Sequence, residues 1–170
     1  MLIVLGGLPG TGKTTIGKAL AAKHNAAYLR IDVIEHVLRS HMPPGQTLGP
    51  EGYAIAQAIA LSNLQLGLWV VADCVNPVPE SRSAWRQIAA EASTAMIEIE
   101  LICSDANEHR RRVESRTPDI DGFELPTWAN VLNHRYSPWT ERRLLLDTAL
   151  LNPADTMLAI EDHIRGVQAV

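Results

Sequence analysis

Leu2-Ile3-Val4-Leu5-Gly6-Gly7-Leu8-Pro9-Gly10-Thr11-Gly12-Lys13-Thr14-Thr15 is the stretch whose reading decides the fold. Four apolar residues closed by glycines suit a strand buried on both faces of a parallel sheet. From Lys13 to His24, Ile16 and Leu20 recur four residues apart among alanines and lysines, and Asn25 can end the last turn, so the spacing predicts a helix. Between strand and helix, Gly7 to Thr14 matches the pattern G-x-x-x-x-G-K-[ST]. Glycines at 7, 10 and 12 let the backbone curl so that successive N–H groups face a phosphate, and the helix start adds its partial positive charge. The candidate nucleotide-binding residues are therefore Gly7, Leu8, Pro9, Gly10, Thr11, Gly12, Lys13, Thr14 and Thr15. Lys13 is placed to reach β- and γ-phosphate oxygens, and the Thr14 hydroxyl to bind magnesium.

Outward from this loop, strands and helices alternate. Ala26 to Ile31 reads as a strand and Asp32 to Arg39 as a helix, stopped by Pro43-Pro44-Gly45. Glu51 to Leu66 is apolar on nearly every face, which predicts a buried helix ending at Gly67. Leu68 to Ala72 is a strand that delivers Asp73, Ser81 to Ala92 a helix, and Ala95 to Cys103 a strand. In that last strand Glu98 and Glu100 alternate with Ile97, Ile99 and Leu101, which predicts one partly exposed face. Asp105 to Arg116 is a charged helix, Thr117 to Pro126 a polar loop, Thr127 to Tyr136 a helix, Leu144 to Leu146 a strand ending at Asp147, and Pro153 to Arg165 the closing helix. This order predicts an α/β domain around a five-stranded parallel sheet. Ligands in such folds bind at the carboxyl ends of the strands, which puts Gly6, Asp32, Asp73 and Ser104-Asp105 on one rim.

The chain has 170 residues, enough for one domain with a substantial core. A composition that is 46% hydrophobic and 20% charged excludes wholesale disorder. The formal net charge of −4 makes bulk nucleic-acid binding unfavourable, so any basic site is local. Cys74 and Cys103 have no partner at metal-ligand spacing, and both read as small buried hydrophobes. The opening apolar run is too short for a secretory signal and Asp73 interrupts the run from Leu66 to Val75, so no membrane span and a cytoplasmic location are expected.

Four further positions carry chemistry. Asp32 lies across the rim from the phosphate loop, where a carboxylate can accept the proton of an attacking hydroxyl and orient the acceptor; with Glu35 it also has the form of a capping box. Asp73, at a strand end, is the second candidate magnesium ligand beside Thr14, with a plain turn residue as the other reading. Cys74 stands where a motor-type ATPase would carry a second acid to activate water, which favours transfer to a bound acceptor over hydrolysis. Arg112 and Arg116 share a helix face with His109, so residues 105 to 126 read as a lid whose arginines neutralise charge on a moving phosphoryl group, the other reading being a solvated charged helix. His109 by itself reads as a surface residue. Arg82 near the rim is a candidate acceptor ligand or a solvated helix-start residue, while Trp85 reads as core and Trp128 and Trp139 as packing anchors.

Taken together, these motifs resemble the P-loop kinases of small molecules and nucleotides, the nucleoside-monophosphate-kinase-like group, over nearly the whole chain. Asp73-Cys74-Val75-Asn76-Pro77 with Arg82 and Trp85 is similar to the segment after the third strand in bacteriophage polynucleotide 5′-kinase, and Arg30-Ile31-Asp32 resembles the surroundings of its catalytic aspartate. Arg112-Val113-Glu114-Ser115-Arg116 resembles the lid helix of such kinases. Asp119-Ile120-Asp121-Gly122, Leu125-Pro126-Thr127-Trp128, Tyr136-Ser137-Pro138-Trp139 and Asp147-Thr148 resemble bacterial kinase-like proteins, some labelled adenylylsulfate kinase. Glu35 stands where polynucleotide kinases usually carry an arginine.

The resemblance implies a P-loop three-layer α/β/α sandwich with a small helical lid, residues 1–170 as one kinase domain, ATP and Mg2+ as cofactors, and adenine near Thr148 to Pro153. It implies transfer of the ATP γ-phosphoryl to a hydroxyl or phosphate of a small-molecule or nucleotide acceptor. A nucleotide-dependent switch or slow ATPase acting on a protein partner, and a kinase of polynucleotide 5′-hydroxyl ends, are the alternatives.

Overall fold

The computed structural model describes residues 1–43 and 45–169; Pro44, the middle of the expected Pro43-Pro44-Gly45 break, and Val170 lie outside the described residues. Twelve elements follow in chain order among the described residues: β1 (Leu2–Gly6), α1 (Lys13–His24), β2 (Ala27–Arg30), α2 (Ile31–Ser40), α3 (Glu51–Gln65), β3 (Val70–Asp73), α4 (Pro79–Glu91), β4 (Met96–Ile102), α5 (Ala106–Glu114), α6 (Trp128–Leu132), β5 (Leu144–Asp147) and α7 (Pro153–Gln168).

The five strands form one sheet of order β2-β3-β1-β4-β5, and every pairing is parallel. Because successive side chains point to opposite faces, β1 divides its apolar run between two cores. Ile3 and Leu5 join Ile16 and Leu20 of α1 and Ile160 and Ile164 of α7 on one face. Leu2 and Val4 join Ala56, Ala60 and Leu64 of α3 and Trp85 and Ala89 of α4 on the other. The result is the expected α/β/α sandwich around five parallel strands. Register places Leu5 opposite Asp73, Arg30 opposite Asp73 and Ile102 opposite Asp147, so the strand ends converge on one rim. Among the described residues, no helix is long and apolar enough to cross a membrane.

Five expectations change. The second helix starts at Ile31, with Arg30 at its N-cap and no side-chain cap, so Asp32 lies inside the first turn. The Asp32–Glu35 capping box does not form; Glu35 pairs with Arg39, one turn onward. In α3 only the stripe Gly52, Ala56, Ala60 and Leu64 is buried, while Ile55 and Ile59 face outward. The predicted exposed face of β4 is covered: Glu98 accepts two hydrogen bonds from Arg86 of α4, and Glu100 accepts from Tyr136 and Arg143. Long-range arginine pairing makes these buried carboxylates tolerable. Finally, the predicted helix to Tyr136 stops at Leu132, and residues 133–143 run without regular structure, with Tyr136 and Arg143 donating to Glu100 of β4.

Candidate functional site

A cleft of about 890 Å3 opens at the carboxyl ends of the strands, floored by Pro9, Gly10, Gly12, Lys13 and Thr14. The loop's curl depends on backbone geometry that side chains would obstruct. Gly7 has φ of 134°, and a Cβ there would overlap the Leu101 carbonyl. Gly10 has φ of 87°, and a Cβ would come 2.6 Å from Val113 of α5, so this glycine admits the lid helix against the loop. Lys13 is buried and its Nζ donates to the Leu8 carbonyl at 2.9 Å. Burial lowers the Lys13 ammonium below its ordinary value, while Asp73 and Asp32 oppose that by favouring the charge.

Asp73 is buried at the end of β3. Its Oδ2 accepts from the Thr14 hydroxyl at 2.8 Å and from the Tyr28 hydroxyl at 2.6 Å, and Arg30 Nε lies 3.9 Å away. Burial first, and then the neighbouring Asp73 charge, push the Tyr28 phenol well above its usual range, so it stays a donor. Thr14 and Asp73 thus meet across the rim as a hydroxyl and a carboxylate, oxygen donors of the kind a hard divalent cation takes. No group of three or more His, Cys, Asp or Glu side chains poised to hold a metal occurs among the described residues, so any ion here would depend on water and phosphate for its remaining ligands.

Asp32 lines the same cleft with its side chain 42% exposed, and Arg30 Nη2 lies 3.5 Å from its Oδ2. Glu35, one turn on, tucks against Gly52 of α3; burial raises its carboxyl above the ordinary value despite Arg39.

Residues 105–126 form the facing wall. Asp105 caps α5 by accepting from the Asn107 and Glu108 N–H groups. Arg112 donates to the hydroxyl and carbonyl of Thr148 and to Glu108, which ties the helix to the loop after β5. Arg111, Arg112, Ser115, Arg116 and Thr117 all border the cleft, and its far end is made by Thr148 to Pro153 with Thr156. The cleft therefore runs from Asp32, past Lys13, to the start of α7.

Against family models, residues 2–131 match that of an AAA domain. The chain belongs to this AAA-domain family. No curated protein matches it. Among solved structures it is similar to the Mycobacterium tuberculosis APS kinase CysC in complex with AMPPNP and APS, at 19% identity and a TM-score of 0.72, covering 96% of each chain. It is similar to Chaetomium thermophilum Kti12 in complex with ADP-AlF3, at 21% identity and a TM-score of 0.72, covering 98% of this chain and 99% of that one. A gluconokinase from Sinorhizobium meliloti 1021 aligns at 19% identity and a TM-score of 0.65, over 98% and 93% of the two chains. The AAA-domain chain thus has the fold of P-loop kinases.

In this AAA-domain chain Arg82, expected near the rim, does not line the cleft. It is fully buried, and its guanidinium donates to the carbonyls of Asn76, Pro77, Ser137 and Pro138 while stacking 4.3 Å over Trp139. Four of its five N–H groups are spent on these carbonyls, and the side chain lies buried beneath the irregular 133–143 segment, outside the lining of the cleft, so it is not placed to meet an acceptor. Trp85 and Trp139 are buried as expected, whereas Trp128 and Cys103 are half-buried.

His109 overturns its reading as a surface residue. It is buried, bonds the Pro9 carbonyl at 2.8 Å and meets Trp128 edge-on at 5.2 Å. Tyr28 was not legible as a site residue, since its partner Asp73 lies 45 positions away, and Thr148, expected only near the adenine, also anchors Arg112 from 36 positions away. The only sequence signal for His109 was its shared helix face with Arg112 and Arg116.

Proposed function

We propose that this chain is an ATP-dependent phosphotransferase that moves the γ-phosphoryl of Mg-ATP to a hydroxyl of a small-molecule or nucleotide acceptor. The observation that carries the reading is the half-exposed carboxylate of Asp32 in the same cleft as the buried Lys13 ammonium and the Thr14–Asp73 pair. In this reading the backbone of Gly7 to Thr15 cradles the triphosphate, and the nucleobase lies toward Thr148 to Pro153. Lys13 leaves the Leu8 carbonyl for phosphate oxygens, which are stronger acceptors because they are charged.

Thr14 and Asp73 would hold the magnesium ion, which supplies neutralisation of charge on the β- and γ-phosphates when bound. Asp32 accepts the acceptor hydroxyl's proton and aims its oxygen in line with the γ-phosphorus. Arg116 borders the cleft without a protein hydrogen bond among those described, so it is the lid arginine free to meet the phosphoryl; Arg112 is already engaged by Thr148 and Glu108 and fixes the wall. Cys74, buried and donating to the Leu5 carbonyl, supplies no base for water, which supports transfer over hydrolysis.

The test is turnover of γ-labelled ATP with magnesium against pools of nucleosides, nucleotides, sugars, aminoglycosides and a 5′-hydroxyl oligonucleotide, with Asp32→Asn in parallel. Label moved onto one pool, and lost by at least about 100-fold in the variant, is the expected result. Free phosphate alone, indifferent to every pool and to Asp32, would replace the kinase reading with that of a nucleotide switch or ATPase.

A further inference from the structure

The loop that follows α5 does not hang free. Asp119 lies between Lys18 of α1, whose Nζ is 2.8 Å from its Oδ2, and Arg30 at the end of β2, whose Nη1 donates to both carboxylate oxygens at 2.9 and 2.8 Å. Farther along, Phe123 meets His36 of α2 edge-on at 5.8 Å, with Gly122 beside the same imidazole. Residues 117–126 therefore run from the lid wall of the cleft to the α1, β2 and α2 side, where Asp32 sits. The Arg30 side chain is only 4% exposed and is shared: Nη1 serves Asp119, Nη2 faces Asp32 at 3.5 Å, and the unpartnered Nε points toward Asp73 at 3.9 Å. One guanidinium thus joins the carboxylate of the lid loop, that of the acceptor side and that of the metal side. Hydrogen bonds from Lys18 and Arg30 hold the Asp119 carboxyl well below its usual range, so the clasp is charged at neutral pH.

We propose that Asp119 and Arg30 are positioning residues of the lid: clasped by Arg30 and Lys18, Asp119 straps the 117–126 loop over the acceptor side of the cleft, and because Arg30 also carries Asp32, closing the strap and setting Asp32 are one event. The proposal gives the strap its meaning through the phosphotransfer reading, but the strap itself exists without catalysis. The shared cation makes the two carboxylates competitors. When Asp119 takes the guanidinium the loop is down and Asp32 is held only by the weaker Nη2 contact, free to accept a proton; when the loop lifts, Arg30 turns wholly to Asp32 and ties up that base.

The experiment reads amide hydrogen exchange of residues 117–126 in the full chain without nucleotide, and release of a fluorescent ATP analogue with magnesium by stopped flow. Asp119→Asn keeps the side-chain size and removes the charge. It should speed exchange across 117–126 by about tenfold and release of the analogue several-fold, as expected for losing a charge-assisted hydrogen-bonded pair on a buried guanidinium. Asp119→Glu should recover most of both. Asp32→Asn, which leaves Arg30 wholly to Asp119, should slow the same exchange about twofold, a change that a merely structural anchor would not produce.

Wild-type exchange in Asp119→Asn overturns the strap, and wild-type exchange in Asp32→Asn overturns the sharing of Arg30. Exchange that responds as expected in a protein that binds no analogue supports the strap and overturns the nucleotide reading instead.

Discussion

Replacing Arg82 with alanine should be among the most damaging single changes outside the cleft. The guanidinium is fully buried, donates to four carbonyls and lies 4.3 Å over the Trp139 ring. Hydrogen bonds from a charged donor contribute about 1.5–3 kcal/mol each, and the stacked cation adds about 2 kcal/mol when desolvated. The desolvation of a buried charge offsets several kcal/mol of that sum. Removing the side chain nevertheless orphans the carbonyls of Asn76, Pro77, Ser137 and Pro138, and one partner lost from such a buried network costs about 3–5 kcal/mol.

At about 2–4 °C per kcal/mol for a chain of this size, the melting temperature of Arg82→Ala should fall by about 10 °C. Urea unfolding followed by tryptophan fluorescence measures the loss, with an unchanged slope as the check that the unfolded state is the same. Arg82→Lys should fall between, because a point charge cannot reproduce the planar fork. A loss below about 1 kcal/mol, together with a selective defect toward the acceptor, would refute the burial argument and return Arg82 to the role of acceptor ligand.

Three other outcomes are expected. Lys13→Ala should abolish measurable binding of a non-hydrolysable ATP analogue by calorimetry while leaving the circular dichroism spectrum intact, because its Nζ is the buried cation of the cleft. Gly10→Ala should loosen the phosphate loop from the lid helix, since its Cβ would lie 2.6 Å from Val113; the readout is faster exchange in 106–114, and unaltered exchange would show that the helix yields without cost.

Glu161 tests the acid side of stability. Its burial would raise the carboxyl, but hydrogen bonds from His24 and Lys23 outweigh that and leave it below the ordinary 4.5. With the folded value below the unfolded one, this pairing stabilises fully above pH 4.5 and is lost as pH falls through the folded value. Glu161→Gln should therefore lose stability at pH 7 and show a shallower further loss below pH 4.5 in thermal melts across pH, and a curve parallel to wild type would contradict the pairing.

Local pattern was sufficient wherever the physics is local. Leu2 to Leu5 is apolar at every position because both faces of β1 are covered, and the glycines at 7, 10 and 12 all adopt the left-handed backbone that their motif demands. That spacing carried the phosphate loop, the apolar run Leu68 to Ala72 carried the position of Asp73 at a strand end, and the alternation of strand and helix patterns carried the α/β order that predicts a parallel sheet.

Tertiary structure decided what happens to charges. Glu98 and Glu100 read as a solvated face, because a strand's alternation gives no hint of arginines 12 residues before and 43 residues after. Arg82 looked free at a helix start until residues 137 and 138 arrived to take its donors from 55 and 56 positions away. Asp119 stood out only as part of a kinase-like segment, with nothing to show its pairing, since its cations, Lys18 and Arg30, lie 101 and 89 residues back. Periodicity records which side of an element meets oil or water. Whether a charge is satisfied depends on the distance to its partner in space, and only the folded chain fixes that.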